Sequence, residues 1–367
     1  MRILIVTPIF SPRTGGPATY VWELAARLKK TDAVTIVCFS PQPKRLRGVK
    51  VIGVSEKGNF LSRQLNLARS VYSLGRKVDL FYIQGPLVVG FISSLVGRLL
   101  GKKVVLKYVG DEAWESAQIE GLTKATLEDY LGIPKTIKEY IWIELERLSL
   151  RIADVIVVPA NYLKMILRKF HHLPADKIRM IVNAVEVFPA TVKKKRWQLV
   201  VVARLVPWKN IDQVIKAVAL AREKFPWRLV IIGEGPEEFR LKTQARRLKG
   251  DRWIIFKGRR SLRQTLKEVA QAEALILYSS YEGLSHTVLE ALQLGTRVIV
   301  SDQPALKDLV NGYGRLVPLN SLKALAEMIN SEDVIVEGAF EYVKRIYSWE
   351  KHLKTLEGIW SLQKKLQ

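Results

Sequence analysis

The chain has 367 residues, a formal net charge of +24 and one cysteine, Cys38, with 48% hydrophobic and 26% charged residues. That balance excludes a disordered chain, and the lone cysteine excludes an internal disulfide framework and fits a reducing, cytoplasmic compartment. The length exceeds one ordinary core and suits two α/β domains. So large a positive excess should attract a polyanion (nucleic acid, anionic lipid or a phosphorylated substrate), or else marks a basic surface with no dedicated partner.

From the start, Met1 to Val6 is apolar, but Pro8 and Pro12 follow at once, so the run reads as a buried first strand and not as a signal segment. Further strands are expected at Val34–Phe39, Val49–Val54, Leu80–Ile83, Val104–Tyr108 and Val155–Val158. Helical periodicity follows most of them, as in Ala18–Leu28, Leu61–Leu74 and Leu87–Leu100. The longest apolar stretch, Pro86 to Gly97, stops at Arg98, short of the roughly 20 residues a membrane-spanning helix needs. After a linker at Phe188–Arg196 the pattern restarts, with strands expected at Leu199–Ala203, Leu229–Ile232, Ile254–Phe256, Ala274–Tyr278 and Val298–Val300. An amphipathic helix, Trp349 to Leu366, ends the chain. Continuous apolar strands alternating with helices imply parallel sheets covered on both faces. The fold class is therefore α/β, two Rossmann-like doubly wound domains over 1–190 and 191–348, with 349–367 packing back onto the first. Such a pair implies a ligand cleft at the carboxyl ends of the strands, where the two domains face one another.

Three local patterns in the second half concern phosphate and ribose. Arg204 lies just past a strand and Lys209 at the start of the next helix, where two cations can neutralise a diphosphate, or simply remain solvated. Gly233-Glu234-Gly235 after a strand permits close backbone approach, but without a third glycine a plain tight turn explains it as well. Glu282 precedes a helix expected to begin near Leu284 or Ser285, so the amides of Gly283, Leu284 and Ser285 would form an anion site at its N-terminus. Glu290 sits within that helix among Val288, Leu289, Ala291 and Leu292, a costly place for a carboxylate unless hydroxyls such as those of ribose bond to it. The alternative is a glutamate on the solvated helix face.

Glu282 through Glu290, followed by Ala291-Leu292-Gln293-Leu294-Gly295, resembles the Glu-x7-Glu signature of retaining glycosyltransferase family 4. The resemblance runs along the chain: Gly15-Gly16 with Val21 and Leu24-Ala25 is similar to the N-terminal glycine loop, Val182-Asn183-Ala184-Val185 to the interdomain Asn-Gly-Val, and Arg204 with Lys209 to the Arg-x4-Lys pair. It implies the two-domain GT-B architecture and a sugar nucleotide, UDP- or GDP-linked, as donor. Glu282 would contact the donor sugar and Glu290 the ribose; Arg204 and Lys209 would hold the diphosphate, with Gly16 approaching it from across the cleft. Gly258 and Arg259, with Lys257, would hold the base through backbone atoms. The family reacts by same-face attack, with cations and helix dipole in place of a metal; consistently, there is no Asp-x-Asp motif, and the four histidines suggest no metal cluster. No cofactor is expected.

Where many members carry His-Gly, this chain has Gly110-Asp111-Glu112-Ala113-Trp114-Glu115, similar to a subset with Gly-Asp-x-Ala-Trp-Glu. Asp111 is then a candidate to orient an acceptor hydroxyl, with Trp114 as a stacking face; capping of the following helix is the competing role for Asp111. The acceptor, a glycan or a lipid-linked sugar, belongs on the first domain. There Arg98, Lys102, Lys103, Lys107 and the basic amphipathic segment Asn161–Phe170 suit peripheral attachment to an anionic membrane surface, or else a core-facing helix with outward lysines. Two rivals stand beside sugar transfer: a related GT-B enzyme, epimerase or phosphorylase, and a nucleic-acid-binding protein. No helix-turn-helix, zinc ligand set or RNA-binding sheet motif supports the latter, so no nucleic-acid partner is expected.

Overall fold

A computed structural model describes residues 1–13, 15–133, 135–186, 192–332 and 337–361. The chain forms two compact units, one of residues 1–117, 127–183 and 354 onward, the other of 118–126 and 184–353. The crossing at Asn183–Ala184 precedes the boundary expected at 190/191, which lies outside the described residues, as does most of the linker's start. The terminal helix was expected to belong wholly to the first domain; its opening residues, 349–353, group with the second unit.

Unit 1 contains β1 (Arg2–Thr7), α1 (Gly16–Leu28), β2 (Ala33–Phe39), β3 (Lys50–Val54), α2 (Phe60–Gly75), β4 (Leu80–Gln84), α3 (Gly90–Leu99) and β5 (Lys103–Lys107). It continues through α4 (Glu112–Ile119, whose last two residues group with unit 2), α5 (Leu127–Gly132), α6 (Ile137–Ile152), β6 (Val155–Val158), α7 (Asn161–Lys169) and β7 (Ile178–Met180). The sheet is parallel, in the order β3-β2-β1-β4-β5-β6-β7. Every residue of β4 is buried, as a strand covered on both faces requires. Local chemistry fixes the helix starts: Thr136 and Glu139 form a reciprocal capping box on α6, and Asn59 Oδ1 accepts the Ser62 amide at 2.9 Å on α2.

Unit 2 contains β8 (Gln198–Val202), α8 (Ile211–Ala221), β9 (Arg228–Ile232), α9 (Glu238–Arg247), β10 (Ile254–Phe256), α10 (Leu262–Gln271), β11 (Ala274–Leu277), α11 (His286–Gln293) and β12 (Arg297–Ser301). Then come α12 (Pro304–Val310), β13 (Arg315–Val317), α13 (Leu322–Asn330), α14 (Ala339–Ile346) and α15 (Trp349–Ser361), the last shared between the units; residues 362–367 lie outside the described ones. Its sheet is also parallel, β10-β9-β8-β11-β12-β13. In each sheet the strand order reverses beside the first strand, between β1 and β4 and between β8 and β11, and at such a switch point the flanking loops part and leave room for a ligand. Apolar pattern located each long strand to within a residue or so. The edge strands β7 (Ile-Arg-Met) and β13 (Arg-Leu-Val) went unread because each carries an arginine and lacks the continuous apolar run that marked the equally short β10.

Candidate active site

In unit 2 the loops at the switch point are tied to one another. Asn210, in the left-handed region at φ 48°, starts α8 and donates from Nδ2 to the Tyr278 carbonyl at 3.1 Å. The Ser280 amide donates to the Trp208 carbonyl at 2.8 Å. These bonds place Lys209 beside Glu282, and the two side chains form a largely buried ion pair, Nζ to Oε1. Ser279, fully buried, donates its hydroxyl to the same Oε1 at 2.9 Å, and the Ser301 hydroxyl donates to the Ser279 carbonyl. Sequence reading gave Lys209 and Glu282 separate roles; it missed both their pairing and Ser279. The signal for Ser279 was its place at a strand's carboxyl end, three residues before Glu282.

Arg204 is exposed, its guanidinium 5.2 Å from the centre of the Trp208 ring. Its loop is held by Gly233 and Gly235. A Cβ on Gly233 would lie 1.8 Å from the Ala203 carbonyl oxygen, and one on Gly235 would lie 2.2 Å from that of Leu205. The Leu205 amide in turn donates to the Glu234 carbonyl at 2.9 Å. The glycine pair thus admits the protein's own backbone, neither a nucleotide nor a mere turn. Glu234 also braces the neighbouring loop. Its carboxylate accepts the Arg259 amide at 3.2 Å and pairs with the Arg259 guanidinium at 3.2 Å, while the Gly258 carbonyl accepts the Gly233 amide at 3.0 Å. At Arg259 the backbone amide expected to meet a base is engaged by Glu234.

The helix starts one or two residues later than expected. α11 begins at His286, and Ser285 is its N-cap, with Oγ accepting the Val288 amide at 3.3 Å. Gly283 and Leu284 therefore lie in the loop ahead of the helix, and Ser285 spends its hydroxyl on capping. Glu290 projects from α11 part-buried, with no hydrogen-bond donor to its carboxylate among the described residues, and burial raises its pKa to about 7. A carboxylate desolvated yet still reachable is poised to accept from ligand hydroxyls.

Unit 1 is different in kind. Gly16 opens α1, exposed, at the carboxyl end of β1. Asp111 is fully buried: Oδ1 accepts the Trp114 amide at 2.8 Å, capping α4, while Oδ2 accepts the Tyr108 hydroxyl at 3.3 Å and faces His171 Nε2 at 3.2 Å. Capping, the competing role, is what Asp111 performs in this structure. Trp114 is buried at 1% exposure, so its ring offers no stacking face to a sugar; that expectation is corrected, the ring having been taken into the core. Glu146 accepts the Ala113 amide at 3.0 Å, and burial together with the Asp111 charge raises its pKa well above the usual range. Asp111, Glu146 and His171 bring three possible ligand atoms within 4.8 Å of one another, a donor set that suits a divalent cation by type. The sequence showed no such cluster because Asp111 and His171 are 60 residues apart. Glu112 accepts the Leu87 and Val88 amides at 2.7 and 2.9 Å, and burial raises its pKa to about 7.

Two basic features read as surface also change. Lys107 is fully buried, its Nζ 3.2 Å from the centre of the Tyr20 ring, and desolvation lowers its pKa well below that of a surface lysine. On α7, Tyr162, Leu163, Ile166 and Leu167 are buried and Arg168 and Lys169 lie toward solvent, so the helix faces the core. Among the described residues no helix is long and apolar enough to cross a membrane.

Comparison with known proteins agrees with this geometry. Residues 14–187 match the family described as Glycosyltransferase Family 4, and 185–332 that described as Glycosyl transferases group 1. The chain is 23% identical to the alpha-monoglucosyldiacylglycerol synthase of Streptococcus pneumoniae, over 85% of this chain and 73% of that protein. It is 28% identical to the glycosyltransferase MJ1069 of Methanocaldococcus jannaschii over 45% of each chain, so that alignment spans under half of that relative. Anabaena HepE, solved with UDP-glucose, superposes at a TM-score of 0.76 with 16% identity, over 98% of this chain and 100% of that one, and shows a shared fold.

Proposed function

Because the chain belongs to glycosyltransferase family 4, we propose that this GT-B enzyme transfers a hexosyl group from a UDP- or GDP-linked sugar to a glycan or lipid-linked acceptor, with retention and without a metal. The observation that carries the reading is the Lys209–Glu282–Ser279 knot at the β8/β11 switch point, where loops 73 residues apart in sequence meet. Glu282 compensates the Lys209 charge. When a diphosphate arrives, Lys209 and Arg204 turn to its oxygens, and Glu282 exchanges one cation contact for the sugar's hydroxyls. Glu290 accepts from the ribose. The acceptor oxygen bonds to the anomeric carbon on the face that the phosphate leaves; the C–O bond to the phosphate breaks, and the acceptor proton passes to the departing phosphate oxygen. Fixed cations and loop amides stabilise that leaving group.

Two known proteins support the reading: HepE, solved with UDP-glucose, supports the donor class, and the pneumococcal relative, named for a glucosylated lipid, supports a lipid acceptor. A thermal-shift screen against sugar nucleotides tests the reading. A donor at a hundredfold over its Kd should add about 2.7 kcal/mol of stability. No shift with any donor, or turnover abolished by chelation and restored by magnesium, refutes it.

A further inference from the structure

We propose that Asp111, Glu146 and His171 bind a transition-metal ion, zinc by donor type, in the core of unit 1. The three side chains come from separate elements: Asp111 follows β5, Glu146 lies on α6 and His171 follows α7. All three are buried to 1% exposure or less, and each brings a ligand atom within 4.8 Å of the others. The distance from Asp111 Oδ2 to His171 Nε2 is 3.2 Å. Two donors on a tetrahedral zinc ion, each about 2.0–2.1 Å from it, stand about 3.3 Å apart, so this pair already spans one edge of the polyhedron. A rotation of the Glu146 side chain that moves its carboxylate by about 1.5 Å or less brings it to the same ion, and bidentate contact completes four donors. One imidazole nitrogen with two carboxylates suits zinc or manganese, whereas magnesium and calcium take all-oxygen sets.

Hydrogen bonds alone leave the cluster incomplete. Glu146 Oε2 accepts the Ala113 amide at 3.0 Å, but Glu146 Oε1 and His171 Nδ1, both shut off from solvent, have no hydrogen-bond partner among the described residues. Asp111, Glu112 and Glu115 press on Glu146 with like charge, and no lysine or arginine among the described residues pairs with it. Carboxylates brought together in a dry core need a proton or a cation between them. A divalent ion compensates both carboxylates and takes up the unpartnered Glu146 oxygen, whereas a protonated His171 answers Asp111 alone. The Trp114 amide on Asp111 Oδ1 at 2.8 Å, the Tyr108 hydroxyl on Oδ2 at 3.3 Å and the Ala113 amide on Glu146 hold the carboxylates in place, as outer-shell donors do in metal centres. The ion is structural. It ties the start of α4, the body of α6 and the segment after α7 together, joining residues 60 apart in sequence, and fixes the Gly110–Trp114 block beyond the carboxyl end of β5. Arg204, Lys209 and Glu282 all belong to unit 2, so activation of the diphosphate stays with them.

The test uses the untagged full chain. Elemental analysis of protein grown in zinc-supplemented medium should find one zinc ion per chain. Protein unfolded in chelator and refolded should take up zinc, or cobalt with visible d–d absorption, and should take up no magnesium. The zinc-loaded chain should melt several degrees above the metal-free chain. Glu146→Gln and His171→Gln should each weaken zinc binding by about a hundredfold or more, while His172→Asn, exposed and adjacent, should leave it unchanged. Glu146→Gln keeps the size of the side chain and removes a buried charge, so it reports on the site even where the histidine variant does not fold. Absence of a transition metal from the protein as purified, a measurement that needs no refolding, overturns the proposal. Equal zinc binding by native protein and the Glu146 variant does so too, as does one melting temperature with and without zinc. If no protein in the set binds a sugar nucleotide while zinc behaves as expected, the donor reading falls and the ion site stands.

Discussion

Replacing Glu290 with glutamine should stabilise the enzyme and weaken its grip on the donor, both as a function of pH. Burial lifts the carboxyl from 4.5 to about 7. Between those values the folded protein holds a proton that the unfolded chain releases, so stability falls as pH rises through the window, and above 7 the whole cost is present. A shift of that size corresponds to about 3 kcal/mol. Glu290→Gln does not titrate, so near pH 4 it should match the native protein, and near pH 8 it should exceed it by up to about 3 kcal/mol, a rise of roughly 6–12 °C in the melting of that unit. Donor binding runs the other way. Ribose hydroxyls donate to the ionised form, so native affinity should rise as pH passes about 7, with proton release near pH 7 visible as a buffer-dependent enthalpy in calorimetry. The variant should bind more weakly and show neither effect. If its stability relative to native protein is the same at about pH 5 and about pH 8, on either side of the shifted pKa, Glu290 is not the desolvated acid described. If its donor affinity is unchanged, Glu290 is not the ribose contact.

Other substitutions separate the remaining roles. Lys209→Met leaves Glu282 largely buried, with Ser279 as its remaining side-chain partner among the described residues, and should cost about 1–3 kcal/mol in chemical denaturation as well as tenfold or more in donor affinity. Glu282→Gln should lower kcat by about a hundredfold in a product assay while changing donor Kd far less. Gly233→Ala drives a methyl into the Ala203 carbonyl and should cost over about 3 kcal/mol by melting, with loss of donor binding because the Arg204 loop must move. Cys38, buried and pushed up to about 12, should ignore thiol reagents in the native state near pH 8 and react only on unfolding.

Much of this protein was legible before folding. Strands such as Leu80–Gln84 and Val155–Val158 announce themselves because a parallel strand covered on both sides must be apolar throughout, and helices between them follow from a period that short-range sterics enforce. Arg204, Lys209, Glu282 and Glu290 could be singled out because their spacing from strand ends is local. What the chain order could not supply is which distant groups meet. Lys209 finds Glu282, and Asp111 finds His171, through strand order and loop closure, and neither leaves a mark in a window of neighbouring residues. The same limit explains the reversals. Lys107 reads as a surface cation until α1 covers it with Tyr20, and Trp114 as a stacking face until the core takes it in. Leu61, which opens the helical stretch expected over Leu61–Leu74, stays outside, because a helical period gives the angle between side chains but not which side the sheet will occupy. Local sterics are written in the sequence; burial is a property of the packed units, and it alone decided which charges are paired, which are neutral and which apolar residues remain outside.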